Sequence, residues 1–194
     1  MTDTGLPARR AALRALQQVD EEGAYSNLAV PAAVGSLADA RDRAFASHLA
    51  YDTLRWEGTL DWALSHVLTR PLADVEPALV RVLRLGAAQL LRMDLPARAA
   101  ISTSAELAGE AVPARRRSGA TGFVNGVLRA LDRRHGDLPW PGDDDPVAHL
   151  AVTTAHPRWM VEDLLARYDV ARVAAVLAAD NDPPGLTLRA TGSR

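Results

Sequence analysis

Cysteine is absent from the 194 residues, and so is lysine: every one of the 22 basic residues is arginine. The first absence excludes disulfides and thiolate metal sites. The second means that phosphate could be held only by guanidinium forks, never by the lysine of a nucleotide-binding P-loop. A composition shaped by a GC-rich genome would lack lysine too. Long apolar runs are also missing, because no stretch reaches the ~18 uncharged residues of a membrane span, and the opening "MTDTGLPARRAALRALQQVDEEG" is too charged for a signal peptide. A cytosolic chain without membrane contact is expected. Aromatic residues make up 5% and β-branched residues are sparse outside short runs, which points to helices.

What remains is a chain with 48% hydrophobic and 24% charged residues, enough to bury a core. The net charge of −2 does not by itself suggest nucleic acid, but its distribution is uneven. Residues 1–135 hold 17 arginines against 15 acids, and residues 136–194 hold 5 against 9. The five histidines include no i, i+4 pair, so no metal is expected. Ser102, Ser104 and Ser118 sit in no nucleophile signature.

Prolines, glycines and capping residues divide the chain into helices. Pro7 suits a first turn and Gly23 a helix end, with Arg9, Arg10 and Arg14 between them. Positive charge at a helix start opposes the dipole, so these arginines imply either a bound partner or a tolerant solvated surface. "YSNLAVPAAVG" reads as a short helix. Asp39 can cap a helix reaching Glu57, and Thr59 the next, which Pro71 stops. From Pro77 to Met93 the residues Leu79, Val82, Leu83, Gly86 and Leu90 share one face. Arg81, Arg84 and Arg92 line the other, which reads as a solvated face. A further helix carries Ile101, Ala105 and Ala108. "HGDLPWPGDDDP" reads as a linker, 136–146, followed by helices opened by Pro157 and Asp169 and by a strand start at Leu186 to Leu188.

"SGATGFVNGVLRAL", Ser118 to Leu131, holds Gly119, Gly122 and Gly126 in a helical pattern, at about 1 kcal/mol for each interior glycine. The spacing does not fit G-x-G-x-x-G and no strand precedes it, which excludes a dinucleotide site. Gly122 and Gly126 stack one turn apart outside the apolar arc, beside Asn125 and Arg129, leaving a groove for close backbone approach. A neighbouring helix is the simpler occupant; RNA or a partner protein, met by Asn125 and Arg129, is the other. Close packing against Gly126 is expected.

The run Val80 to Leu131 sets an "LRLG..QLL" helix, a "DLP" turn, an "AI...AELA" helix and an "FVNGVLR" helix in order, and in this it resembles the C-terminal half of the NusB fold. "ARRAALRALQQVDEEGAYSNLAV" resembles that fold's first helix and turn more loosely. Two families use the fold: antitermination factors, and the N-terminal domain of small-subunit ribosomal RNA methyltransferases of the RsmB (Sun/Fmu) kind. "DRAFASHLAYDTLRW", "HPRWMVEDLLARY" and "NDPPGLTLRA" resemble the second, with Ala190 and Thr191 departing from its usual Val-Asn.

This resemblance implies an all-α NusB-like bundle over 6–135, the linker, and in 147–194 the start of the methyltransferase's RNA-binding region, cut before a catalytic domain. It implies small-subunit ribosomal RNA and that catalytic domain as partners. S-adenosylmethionine is implied for the full-length protein and no cofactor for this chain, which has no thiolate to add to cytosine C6. The expected RNA-binding residues are Arg9, Arg10 and Arg14 together with Arg115, Arg116 and Arg117, if the fold joins the two clusters, and Asn125 and Arg129. Arg115 to Arg117 could equally cap the preceding helix. An antitermination factor and a purely structural module remain the alternatives.

Overall fold

Local signals start and stop most of the helices where the residues demand. The computed structural model describes residues 5–93 and 95–182. In it α1 (Leu6–Glu22) opens with Pro7 in its first turn and closes on Gly23, whose φ of 65° is the left-handed conformation that turns the following N–H, that of Ala24, back to the Gln18 carbonyl at 3.2 Å. After α2 (Ser26–Val34), the Asp39 side chain accepts from the Arg41 N–H at 2.6 Å and so caps α3 (Ala40–Arg55). α4 (Glu57–Ser65) starts two residues before the expected Thr59. Thr59 is no cap: its hydroxyl donates to the Val152 carbonyl, 93 residues away, at 2.5 Å.

α5 (Pro77–Leu91) lies at the centre and packs on α1, α3, α4, α6 and α7. Leu83 and Leu85 on it are fully buried, worth about 1.5–3 kcal/mol each. α6 (Ala97–Glu110) and α7 (Arg117–Arg134) form the most extensive helix pair. Gly109 meets Thr121 and Arg117, while Arg98 lies near Arg129 and Arg133, so the two run antiparallel. The bundle core joins α1 through α7, and Leu138 just beyond α7 belongs to it.

The segment from Leu138 to Asp145 lies against the bundle through Trp140, which stacks on Trp62 of α4 at 4.5 Å between ring centroids. Asp145 then caps α8 (Pro146–Thr153), and α9 (Arg158–Leu165) and α10 (Val170–Asn181) follow, the last capped by Asp169. Leu150, Val161, Val173 and Leu177 give these three helices a small core of their own. Among the described residues every regular element is helical, an all-α fold; the strand expected at Leu186 to Leu188 lies outside them.

Two expectations about side chains are corrected. The glycines that mediate close packing are Gly86 and Gly109, not Gly122 and Gly126. A Cβ on Gly86 would meet Leu128 and come within 2.9 Å of the Ser104 hydroxyl, whereas one on Gly119, Gly122 or Gly126 would meet nothing within 4 Å. The groove at Gly122 and Gly126 therefore faces open space. Nor do Arg81 and Arg84 lie on a solvated face. Arg81 is buried, 6% exposed, and donates to Glu21 at 2.5 Å. Arg84 holds Asp61 through two bonds of 2.7 Å and Glu57 at 2.9 Å. Arg92 alone is exposed as expected, with its guanidinium 3.6 Å over the Trp56 ring. The helical wheel found the arc correctly, but α1 covers Arg81 and α4 covers Arg84 on the side opposite it.

Candidate nucleic-acid interface

The two expected arginine clusters meet only in part. Arg9 points inward, where its Nε donates to Gln89 Oε1 at 2.6 Å and its guanidinium lies 4.8 Å over Phe45; burial lowers its pKa. Arg10 spans to α6 and grips Glu110 with two bonds of 2.8 and 2.7 Å. Hydrogen bonding by Arg10, reinforced by the charges of Arg10 and Arg117 and opposed by burial, holds the Glu110 carboxyl below its ordinary range. Glu110 thus lies between the start of α1 and the start of α7. Arg14 reaches the Ala33 carbonyl and the Ser36 hydroxyl at 3.4 Å. Arg116 pairs with Glu76. Arg115 is exposed beside Arg70 and Phe123.

Asn125 and Arg129 belong to a different surface. α6 is buried on most sides and is exposed only at Arg98, Ser102, Glu106 and Glu110, one position per turn. Arg117, Thr121, Asn125, Arg129 and Arg133 repeat at the same i, i+4 interval on α7, a line of about 24 Å at 1.5 Å per residue. Where the two lines converge, near the N-terminus of α6 and the C-terminus of α7, they enclose a cleft of about 710 Å³. Arg98, Ser102, Asn125, Arg129, Asp132 and Arg133 supply its polar lining and Ile101 its floor. Arg129 Nε donates to Asn125 Oδ1 at 3.2 Å, which keeps both side chains at the cleft.

Arg98 and Arg133 were not among the expected binding residues. Their signal was present in the i, i+4 repeat along two helices. It could not be read without knowing that α6 and α7 run side by side in opposite directions.

The NusB family model matches residues 6–133, two thirds of the chain and the whole of the bundle from α1 through α7. The chain belongs to the NusB family. It is also 40% identical over 193 residues to a protein of Mycobacterium tuberculosis that carries a methyltransferase name. It is 34% identical over 184 residues to a ribosomal RNA small subunit methyltransferase B of Bacillus subtilis, and 34% identical over 181 residues to that of Pseudomonas putida. These alignments cover 95%, 93% and 93% of the chain, but 41%, 40% and 39% of the relatives, so the chain spans about two fifths of their length.

Two solved structures share the fold. A chain in the crystal structure of a plectonemic RNA supercoil superimposes with a TM-score of 0.63 at 19% identity, over 71% of this chain and 99% of that one. The crystal structure of PH0851 does so with a TM-score of 0.70 at 16% identity, over 92% of this chain and 39% of that one. No described helix is long and apolar enough to cross a membrane.

Proposed function

We propose that this NusB-family chain is the RNA-docking domain of a small-subunit ribosomal RNA cytosine-C5 methyltransferase, positioning that RNA for a catalytic domain elsewhere in the longer protein. The supporting observation is the reach of the similarity. Likeness to small-subunit methyltransferases runs over 93% of the chain, well past residue 133 where the NusB match stops, and so takes in α8 to α10. A lone antitermination factor has no use for those helices. Arginine as the sole strong cation suits docking, because guanidinium contacts to phosphate position an RNA without reading its sequence.

The methyl-transfer chemistry is assigned to the rest of the longer protein. Activating cytosine takes a nucleophile that adds to C6, a task for a thiolate, and this sequence contains no cysteine. S-adenosylmethionine would be supplied there too. The described residues offer no fit for it, since none forms a strand leading into a glycine-rich turn.

The test is filter binding of the chain to small-subunit ribosomal RNA fragments, with an operon-type leader RNA and a small ribosomal protein as comparison. Saturable, salt-sensitive binding to the ribosomal fragments by the chain alone is expected. Binding only to the leader RNA, and only with the ribosomal protein present, would instead make it an antitermination factor. The scaffold alternative draws on the number of arginines already paired inside the bundle, Arg81 and Arg84 among them. Absence of RNA binding even at low salt would decide for it.

A further inference from the structure

Most arginines of the bundle are engaged within the protein. Arg10, Arg81, Arg84 and Arg116 hold carboxylates. Arg43 donates to the Leu37 carbonyl in the turn before α3, and Arg134 to the His66 carbonyl at the end of α4. Arg98, Arg129 and Arg133 are set apart by sharing one cavity: all three line the α6–α7 cleft, none pairs with a carboxylate among the described residues, and Arg129 bonds only the neutral Asn125. Three guanidinium groups around one cavity repel one another unless water or an anion lies between them. Asp132 shares the lining but makes no ion pair with any of them, so the lining carries three positive charges against one negative.

The helix termini add to this. Arg98 occupies the first turn of α6, where the dipole disfavours a cation and favours an anion, and that turn has neither an acidic residue nor a side-chain cap. An anion seated in the cleft would lie against Arg98 and offset the unfavourable charge that it places in that turn. Asn125 and Ser102 contribute an amide and a hydroxyl, which suit the unesterified oxygens of a phosphate. The lining contains no aromatic ring on which a base could stack.

We infer that the α6–α7 cleft is a phosphodiester site, in which Arg98, Arg129 and Arg133 hold the backbone of the docked RNA and Asn125 orients Arg129. This rests on the RNA-docking reading and adds to it the location and chemistry of the contact. With no stacking platform, the cleft grips backbone without preference for base sequence.

The test compares the wild-type chain, Arg98→Gln/Arg129→Gln/Arg133→Gln, and Asp132→Asn in filter binding to a small-subunit ribosomal RNA fragment across a salt series. Losing three phosphate contacts should weaken binding by about 30-fold or more near 0.1 M salt and lower the log–log salt slope by about two. Asp132→Asn, which removes the one opposing charge, should tighten binding several-fold, and this arm stands even if the triple variant folds poorly. Wild-type binding with unchanged affinity and slope in both variants would overturn the cleft while leaving RNA docking intact. No binding by the wild type at low salt would overturn both.

Discussion

Arg9 on α1 and Gln89 on α5 are joined in the interior by a hydrogen bond of 2.6 Å, and the Gln89 amide in turn donates to the Leu85 carbonyl at 2.9 Å. Because Gln89 is fully buried, removing Arg9 leaves an acceptor that water cannot reach. Arg9→Ala is expected to lower stability by about 2–3 kcal/mol, through the orphaned acceptor and the lost packing on Phe45. Arg115→Ala, at an exposed position, should change it by less than about 0.5 kcal/mol. Urea unfolding of the two variants checks the contrast, and equal midpoints would mean that Arg9 serves only at the surface.

Glu110 and Glu57 should respond to acid with opposite signs. Hydrogen bonding from Arg10 first, then the charges of Arg10 and Arg117, keeps the folded-state pKa of Glu110 low against the opposing effect of burial. Its stabilisation is complete above the unfolded value of about 4.3 and is lost as pH falls through the lower folded value. Burial raises Glu57, Arg84 opposes that, and the neighbouring carboxylates Asp61 and Asp20 add to it. Its charge therefore costs stability above the raised folded value, and the cost lifts as pH falls through it.

Glutamine imitates the protonated acid. Relative to wild type, Glu110→Gln should be less stable at pH 7 and approach it only as pH falls below the ordinary carboxylate range, whereas Glu57→Gln should be favoured at pH 7 and lose that advantage by the time pH reaches that range. Each effect is under about 1 kcal/mol, because both pairs touch solvent, and should shrink with added salt. Unfolding midpoints followed from pH 7 downward read the signs directly.

Helix termini were legible because their causes are local. Pro7, Gly23, Asp39 and Asp169 act within a turn of themselves, and each does what its residue type implies. Thr59 misled because a threonine that looks like a cap can equally serve a distant carbonyl, and Val152 is 93 residues away. The arginines misled for the same reason at larger scale. Periodicity places Arg81 and Arg84 opposite the apolar arc of α5, but whether that side meets water depends on where α1 and α4 pack. The cleft required the α6–α7 pairing as well, so a line of side chains on either helix alone looks like ordinary surface.

The glycines allow a prediction whose sign tests the packing directly. Gly86 and Gly126 are both interior positions of helices, so replacing either by alanine should by propensity alone stabilise by about 0.5–1 kcal/mol. Space then separates them. A methyl on Gly86 enters the contact between α5 and α7, overlapping Leu128 and approaching the buried Ser104 hydroxyl, and both neighbours are fully enclosed. Overpacking of this kind costs about 1–3 kcal/mol, so Gly86→Ala should be destabilising overall. At Gly126 nothing lies within 4 Å of the added methyl and the residue is exposed, so propensity acts unopposed. Gly126→Ala should raise the urea midpoint, and Gly126→Leu, which the sequence pattern alone would expect to overpack, should be accepted as well. A lowered midpoint for Gly126→Ala would mean that another surface packs against this face of α7 in solution.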